Sequence, residues 1–128
     1  MKALPTLLAL ALLATALTGC GIGRASNEEK ISRTATTYLK ALARGDAAKA
    51  CAQLTRRAKG GGCEATITKR VSELDADALK KAADGSMDID VDGSTATAGL
   101  SEPKGARFLL KKVRGQWLIA SGYTLGSA

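Results

Sequence analysis

The sequence predicts one small α+β domain, with helices in its first part and an antiparallel sheet in its second. From Ile31 to Ala83, apolar residues recur at intervals of three and four, which is the pattern of amphipathic helices. From Met87 onward they alternate with polar residues, which is the pattern of strands with one buried face. A chain of 128 residues has room for only one well-packed core.

The first apolar segment is too short to span a membrane. It covers the 15 residues from Ala3 to Leu17 and follows a single basic residue, Lys2, whereas a spanning helix needs about 20 residues. A basic start, an apolar middle and a small-residue end are typical of a signal peptide. A short core helix is the alternative, but no polar face interrupts the segment. We therefore expect residues 1–19 to be a signal peptide.

The end of this segment, Leu17-Thr18-Gly19-Cys20, resembles the lipobox of bacterial lipoproteins. The resemblance implies cleavage before Cys20, diacylglycerol on its sulfur, and an acyl chain such as palmitate on the new amino terminus. Several acyl chains hold a protein stably on a membrane where one does not. Residues 20–26 would then be a lipidated tether. The expected location is the outer face of the cytoplasmic membrane, or the outer membrane in a Gram-negative host.

The cysteine count agrees with a lipid anchor. The chain has three cysteines, so lipidation of Cys20 leaves Cys51 and Cys63 as a pair. In an oxidising compartment this pair would form a disulfide, which contributes about 3 kcal/mol for a loop of this length. A zinc site is the alternative. The chain has no histidine, so the two thiols fall short of the ligand set of a structural zinc ion, and we expect no metal or cofactor.

Turn signals divide the rest of the chain into short elements. Asn27 is placed to cap the first helix, Gly45 to end it and Asp46 to cap the second. Three consecutive glycines then precede a third helix, which has an extension that begins at Asp75 and reaches Ala83. The predicted strands, separated by Asp-Gly and Arg-Gly turns and a proline-containing loop, are 87–92, 95–100, 106–113 and 116–121.

Three stretches of the chain form a combination that is typical of one superfamily. They are Tyr38-Leu39-x-Ala41-Leu42-x-x-Gly45-Asp46, Val91-Asp92-Gly93-Ser94-Thr95-Ala96 and Leu110-x-Lys112-Val113-x-Gly115-x-Trp117-x-Ile119. Together they resemble the NTF2-like superfamily, in the form of its small actinobacterial lipoproteins. The resemblance covers about residues 28–121 and implies a cone, in which N-terminal helices pack on a curved antiparallel sheet. The domain would span 27–123, with a C-terminal tail at 124–128.

The NTF2-like fold does not decide between catalysis and binding, because it hosts both. The resemblance implies that Tyr38, Phe108 and Trp117 line a pocket in the cone, suited to a small apolar ligand. It also implies a partner protein or a homodimer on the open face of the sheet. Enzymatic members usually carry a histidine or an acid–base pair, so we expect a non-catalytic module. The alternative is a small enzyme of the isomerase or hydrolase kind, in which Tyr38 and an aspartate act inside the cone.

Two clusters account for much of the net charge of +7. They are Arg56-Arg57-Ala58-Lys59 and Lys111-Lys112-Val113-Arg114. Next to a membrane, such clusters can contact anionic lipid or cell-wall polymer, and the simpler alternative is a solvated face that aids solubility. Nucleic acid is not an expected partner, because the clusters lack interleaved aromatic residues and no nucleic-acid-binding module is recognisable.

One acidic stretch, Asp88-Ile89-Asp90-Val91-Asp92-Gly93, matches the start of an EF-hand calcium loop. The last ligand position of such a loop, which holds a bidentate carboxylate, falls on Gly99. The alternating Ile89 and Val91 also indicate a strand. We therefore expect an exposed acidic strand here and no calcium site.

Overall fold

The computed structural model of the protein describes residues 25–125. Cys20, the predicted signal peptide and most of the predicted tether lie outside the described residues, as do residues 126–128. Within these residues five helices precede four strands, which confirms the predicted α+β order. The helices are α1 (Asn27–Arg44), α2 (Ala47–Ala52), α3 (Arg56–Lys59), α4 (Cys63–Val71) and α5 (Ala76–Asp84). The strands are β1 (Met87–Asp92), β2 (Thr95–Leu100), β3 (Arg107–Val113) and β4 (Gln116–Gly122).

The N-cap of helix α1 lies one residue earlier than predicted. The Ser26 hydroxyl accepts a hydrogen bond from the Glu29 backbone N–H at 3.1 Å, so Ser26 is the N-cap in place of Asn27. The side chain of Asn27 is used elsewhere, since its Oδ1 accepts a hydrogen bond from Trp117 Nε1 at 3.2 Å. The helix ends as predicted at Gly45, whose φ of 73° is readily adopted by glycine. No helix within 25–125 is long and apolar enough to cross a membrane.

The segment between α2 and α3 contacts the sheet, which the sequence pattern does not indicate. Asp46 caps α2 as predicted, through Oδ1 and the Lys49 N–H. After α2, the Thr55 N–H donates to the Ile119 carbonyl at 2.9 Å. The Ile119 N–H donates in turn to the Gln53 carbonyl at 2.8 Å. Two hydrogen bonds therefore hold this segment alongside β4.

The sheet is an antiparallel meander with the strand order β1-β2-β3-β4. Its register places Val91 opposite Ala96 and Ala98 opposite Phe108. Between β3 and β4 the register shifts at Leu109 and Leu110, which marks a β-bulge. The turns that join β1 to β2 and β3 to β4 lie at one end of the sheet, and the β2–β3 loop lies at the other.

The helices cover one face of the sheet and bury one core against it. Helix α1 contacts β1, β2 and β4, and α5 packs against α1. The strands contribute every second residue to this core, as their alternation predicts. The buried strand residues are Ala96, Ala98, Leu100, Phe108, Leu110, Trp117 and Ile119. The other face of the sheet, which we call the outer sheet face, carries the alternate residues.

Candidate functional site

Cys51 and Cys63 form the predicted disulfide, and the zinc alternative is wrong. Their Cα atoms are 6.1 Å apart and the residues are separated by 12 positions. Cys51 lies in α2 and Cys63 is the first residue of α4, so the bond fastens two helices across the glycine-rich turn. Disulfides persist in oxidising compartments. The bond is therefore typical of a protein outside the cytoplasm.

Three aromatic side chains meet where the sheet packs on α1. Tyr38 and Phe108 are fully buried, and their rings pack edge to face with centroids 5.6 Å apart. Tyr123 also contacts Phe108, with a centroid distance of 6.3 Å between the rings. These rings pack against one another in the core between α1 and the sheet.

The hydroxyl of Tyr38 is satisfied by residues at the C-terminal end of the described chain. It shares a hydrogen bond of 2.9 Å with Thr124 Oγ1, and Arg70 Nη1 donates to the Thr124 carbonyl at 2.7 Å. Burial raises the pKa of Tyr38, while the Thr124 hydrogen bond and the Arg70 charge partly oppose this. Among the hydrogen bonds of residues 25–125, none joins this hydroxyl to a carboxylate. Thr124, expected in the tail, is partly buried and holds the chain end against Tyr38 and Arg70 through these hydrogen bonds.

Trp117 joins the start of β4 to the start of α1. Its ring is almost fully buried, and its Nε1–H donates to Asn27. Its carbonyl accepts a hydrogen bond from Thr34 Oγ1 at 3.1 Å. The ammonium of Lys112 lies 5.9 Å from the ring centroid, which is within cation–π distance. The ring thus underlies a positively charged surface.

A surface groove runs between α1 and β4 beside Trp117, and we call it the α1–β4 groove. Its volume is about 360 Å³. One wall carries two cations and two hydroxyls, and the other carries two amides. The lining residues are Lys30, Arg33, Thr34, Thr37, Gln53, Gly115, Gln116 and Trp117. With cationic and amide donors and no carboxylate in its lining, the groove is suited to an anionic group.

The outer sheet face separates its charges by strand. β1 presents Asp88, Asp90 and Asp92, which lie opposite Gly99, Thr97 and Thr95 of β2. β3 presents Arg107, Leu109 and Lys111 opposite the same three β2 residues. Leu109 and Val113 are 41% and 42% exposed. A negative strand and a positive strand therefore flank a strand of small residues.

The acidic residues of β1 lie on one side of a regular strand and do not wrap around an ion. Each pairs in register with β2, which confirms the predicted strand and excludes an EF-hand loop at this position. Within residues 25–125, no group of three or more His, Cys, Asp or Glu side chains is placed to hold a metal ion.

Sequence reasoning missed the α1–β4 groove, because its residues come from three segments that are distant along the chain. The one local signal was the cluster that contains Lys112 and Arg114. No protein-family model, curated protein or solved structure matches the chain. Its function is therefore inferred from its own residues.

Proposed function

We propose that this protein is an extracytoplasmic lipoprotein, held at the outer face of the membrane by lipid on Cys20. Its domain would be a non-catalytic binding module of the NTF2-like type. The observation that carries the proposal is the Cys51–Cys63 disulfide. It indicates an oxidising compartment. It also uses two of the three cysteines, so that the thiol in the lipobox-like stretch is the one left for lipid.

The order of elements supports the NTF2-like part of the proposal. A long first helix turns at Gly45-Asp46 into shorter helices, and an antiparallel meander follows. The sheet keeps its alternate large residues against α1, and the tryptophan of the third quoted stretch, Trp117, binds the start of that helix. This order of helices and strands supports the proposal.

The buried aromatic residues favour binding over catalysis. A general acid or base must lie within hydrogen-bond reach of a reacting group. The hydroxyl of Tyr38 is instead bonded to Thr124, and its ring is fully buried against Phe108. An isomerase-like or hydrolase-like reaction at Tyr38 would require this packing to open, so we place the binding function on the surface.

The outer sheet face is the surface that we propose for a protein partner, and a second copy of the chain suits it. Strands β1 and β3 are about 10 Å apart, at two strand spacings. A two-fold axis over β2 would set the aspartates of one copy against Arg107 and Lys111 of the other. The small Thr97 and Gly99 would let the two sheets approach closely. Such self-complementarity is what a symmetric dimer requires.

The anchor is tested by replacing Cys20 with Ala and fractionating cells that are fed labelled fatty acid. We expect the variant to lose the label and to leave the membrane fraction, because no thiol remains for lipid. The matched control is the double variant Cys51→Ala/Cys63→Ala, which should keep both the label and the membrane association. A Cys20→Ala variant that is still labelled and still sediments with membranes would refute the anchor.

The dimer is tested by a single new thiol at its proposed axis. Thr97→Cys places a cysteine at the centre of the outer sheet face, and we expect a cross-linked dimer on a non-reducing gel of intact cells. Lys104→Cys, in the β2–β3 loop, is the control and should remain a monomer. Equal cross-linking of the two variants, or none in either, would contradict a dimer through this face.

A further inference from the structure

One end of the domain is fixed as the end that meets the tether, and we call it the tether end. Helix α1 begins there, because Asn27 accepts the hydrogen bond of Trp117 at the start of β4. The Lys112 N–H donates to the Ser94 carbonyl at 2.8 Å, so the β1–β2 turn adjoins this end of β3. The start of α1 and two sheet turns therefore share one end of the molecule.

Exposed cations surround the α1–β4 groove at the tether end. Lys30 and Arg33 stand on its α1 wall, while Lys112 and Arg114 belong to the β3–β4 hairpin beside Trp117. Three carboxylates also lie at this end, those of Glu28, Glu29 and Asp92, but none of them lines the groove. Positive charge is thus concentrated at the groove.

We propose that the tether end docks on the bilayer surface and that the α1–β4 groove receives an anionic phospholipid headgroup. The inference rests on the proposed lipid anchor. Ser26 is six positions after Cys20, and a chain of six extended residues reaches about 20 Å at most. The anchor therefore holds the groove close to the headgroups, where each nearby cation strengthens binding to anionic lipid about fivefold.

The lining of the groove matches the chemistry of a phosphodiester. The guanidinium of Arg33 and the ammonium of Lys30 are charged donors for phosphate oxygens. The amides of Gln53 and Gln116 on the facing wall donate to the same group or to its glycerol hydroxyls. The small volume of the groove admits a headgroup and leaves the acyl chains in the bilayer.

Lipid is favoured over a cell-wall polymer because of where the groove lies. Helix α1 has 18 residues, so its two ends are about 25 Å apart. Cations at the far end, such as Arg44, Lys81 and Lys104, are exposed as well. A soluble polyanion could reach either end. The anchor would hold the domain at the membrane by its tether end, so membrane lipid would reach that end first.

The test uses the lipidated mature protein, which begins at Cys20, in vesicles of phosphatidylcholine with about 30 mol% phosphatidylglycerol. Trp117 is the sole tryptophan and lies under the proposed docking surface. Lipids brominated on their acyl chains should therefore quench its fluorescence when the domain docks. We expect quenching in these vesicles and a loss of most of it at about 0.5 M NaCl, where the Debye length falls to about 4 Å.

The decisive variant is Lys30→Glu/Arg33→Glu/Arg114→Glu, and its control is Arg44→Glu/Lys81→Glu/Lys104→Glu at the far end. The first should lose at least tenfold in docking, measured as the phosphatidylglycerol content needed for half-maximal quenching, while the control stays within about threefold of the parent. Circular dichroism verifies that both remain folded.

Vesicle flotation separates the anchor from the docking. If the parent protein fails to float with vesicles, the proposed lipid anchor is wrong. Flotation with equal quenching in neutral and anionic vesicles would overturn the docking alone. The same conclusion follows if both triple variants lose quenching equally, or if soluble poly(glycerol phosphate) displaces the domain at an equal phosphate concentration.

Discussion

The two faces of the sheet differ in burial and in charge, although the same four strands form both. Phe108 and Leu109 are neighbours in β3, yet Phe108 is fully buried and Leu109 is 41% exposed. The inner face pairs small residues with large ones, with Ala98 opposite Phe108 and Ala96 opposite Leu110. The outer sheet face carries charge. The inner face therefore carries the buried apolar contacts of the sheet, and the outer sheet face carries its exposed charges.

Substitution at adjacent positions tests this division most strongly. Phe108→Ala should lower the free energy of unfolding by about 3–5 kcal/mol, because it leaves a cavity beside Tyr38 and Tyr123. Leu109→Ala, the matched control, should cost less than about 1 kcal/mol. Urea unfolding followed by circular dichroism measures both. Equal losses would mean that the outer sheet face is also buried, for instance in a tight dimer.

The disulfide stabilises the helical layer that covers the inner face. Cys51→Ala/Cys63→Ala removes a cross-link over 12 positions and should lower the free energy of unfolding by about 3 kcal/mol. Urea unfolding of the variant, and of the parent with and without reductant, measures the loss. The reduced parent should match the variant. A variant as stable as the oxidised parent would show that the cross-link contributes nothing.

A smaller effect is expected at the buried hydroxyl. Tyr38→Phe removes the hydrogen bond to Thr124 Oγ1 and should lower the free energy of unfolding by about 1 kcal/mol. Thr124→Val should cost a similar amount. In the double variant the two losses should not add, because they report one interaction. Full additivity would contradict the bond.

The same hydroxyl predicts a pH dependence. Burial raises the pKa of Tyr38 in the folded state above its ordinary value of about 10. As the pH rises above about 10, the unfolded chain loses this proton while the folded chain keeps it, so stability falls. Tyr38→Phe should lack this part of the alkaline loss. Urea midpoints at neutral and alkaline pH measure it, and parallel curves for the two proteins would refute it.

The smallest effect is expected on the outer sheet face. Asp88→Asn removes one charge from an exposed position and should change the free energy of unfolding by less than about 0.5 kcal/mol. If the dimer is correct, the same variant should dimerise more weakly in sedimentation experiments, because the charge that faces Arg107 of the other copy is lost. A large change in stability without a change in assembly would reverse the roles of the two faces.

Local patterns in the sequence were sufficient to predict the order of helices and strands. The alternation of Met87, Ile89 and Val91 with aspartates predicts which side of β1 is buried. Gly45 and Asp46 mark the end of one helix and the cap of the next, because each acts on the backbone immediately around it. The pairing of Cys51 with Cys63 followed from counting thiols. The first two predictions depend only on residues that are close together in the sequence. The third depends on a residue type that occurs only three times in the chain.

The rest depended on contacts between distant residues. Ser26 and Asn27 are both residue types that can cap a helix. The Asn27 side chain instead accepts a hydrogen bond from Trp117, which is 90 positions away, so Ser26 is the cap. The contact of Gln53 and Thr55 with Ile119 has no local signature, since any extended segment could make it. The groove is assembled from the same long-range contacts. The chain's candidate surfaces could therefore be found only after its elements had been placed together.

The hydrogen bonds of Ile119 have a further consequence for a protein that is crowded at a surface. An open strand edge can recruit a strand from a neighbouring molecule and begin aggregation. On one side of the sheet, Gln53 and Thr55 occupy the middle of the β4 edge. On the other side, β1 carries a carboxylate at every second residue, so two copies placed edge to edge would repel each other. If the protein is anchored to a membrane as proposed, its copies can therefore collide at high local density without polymerising.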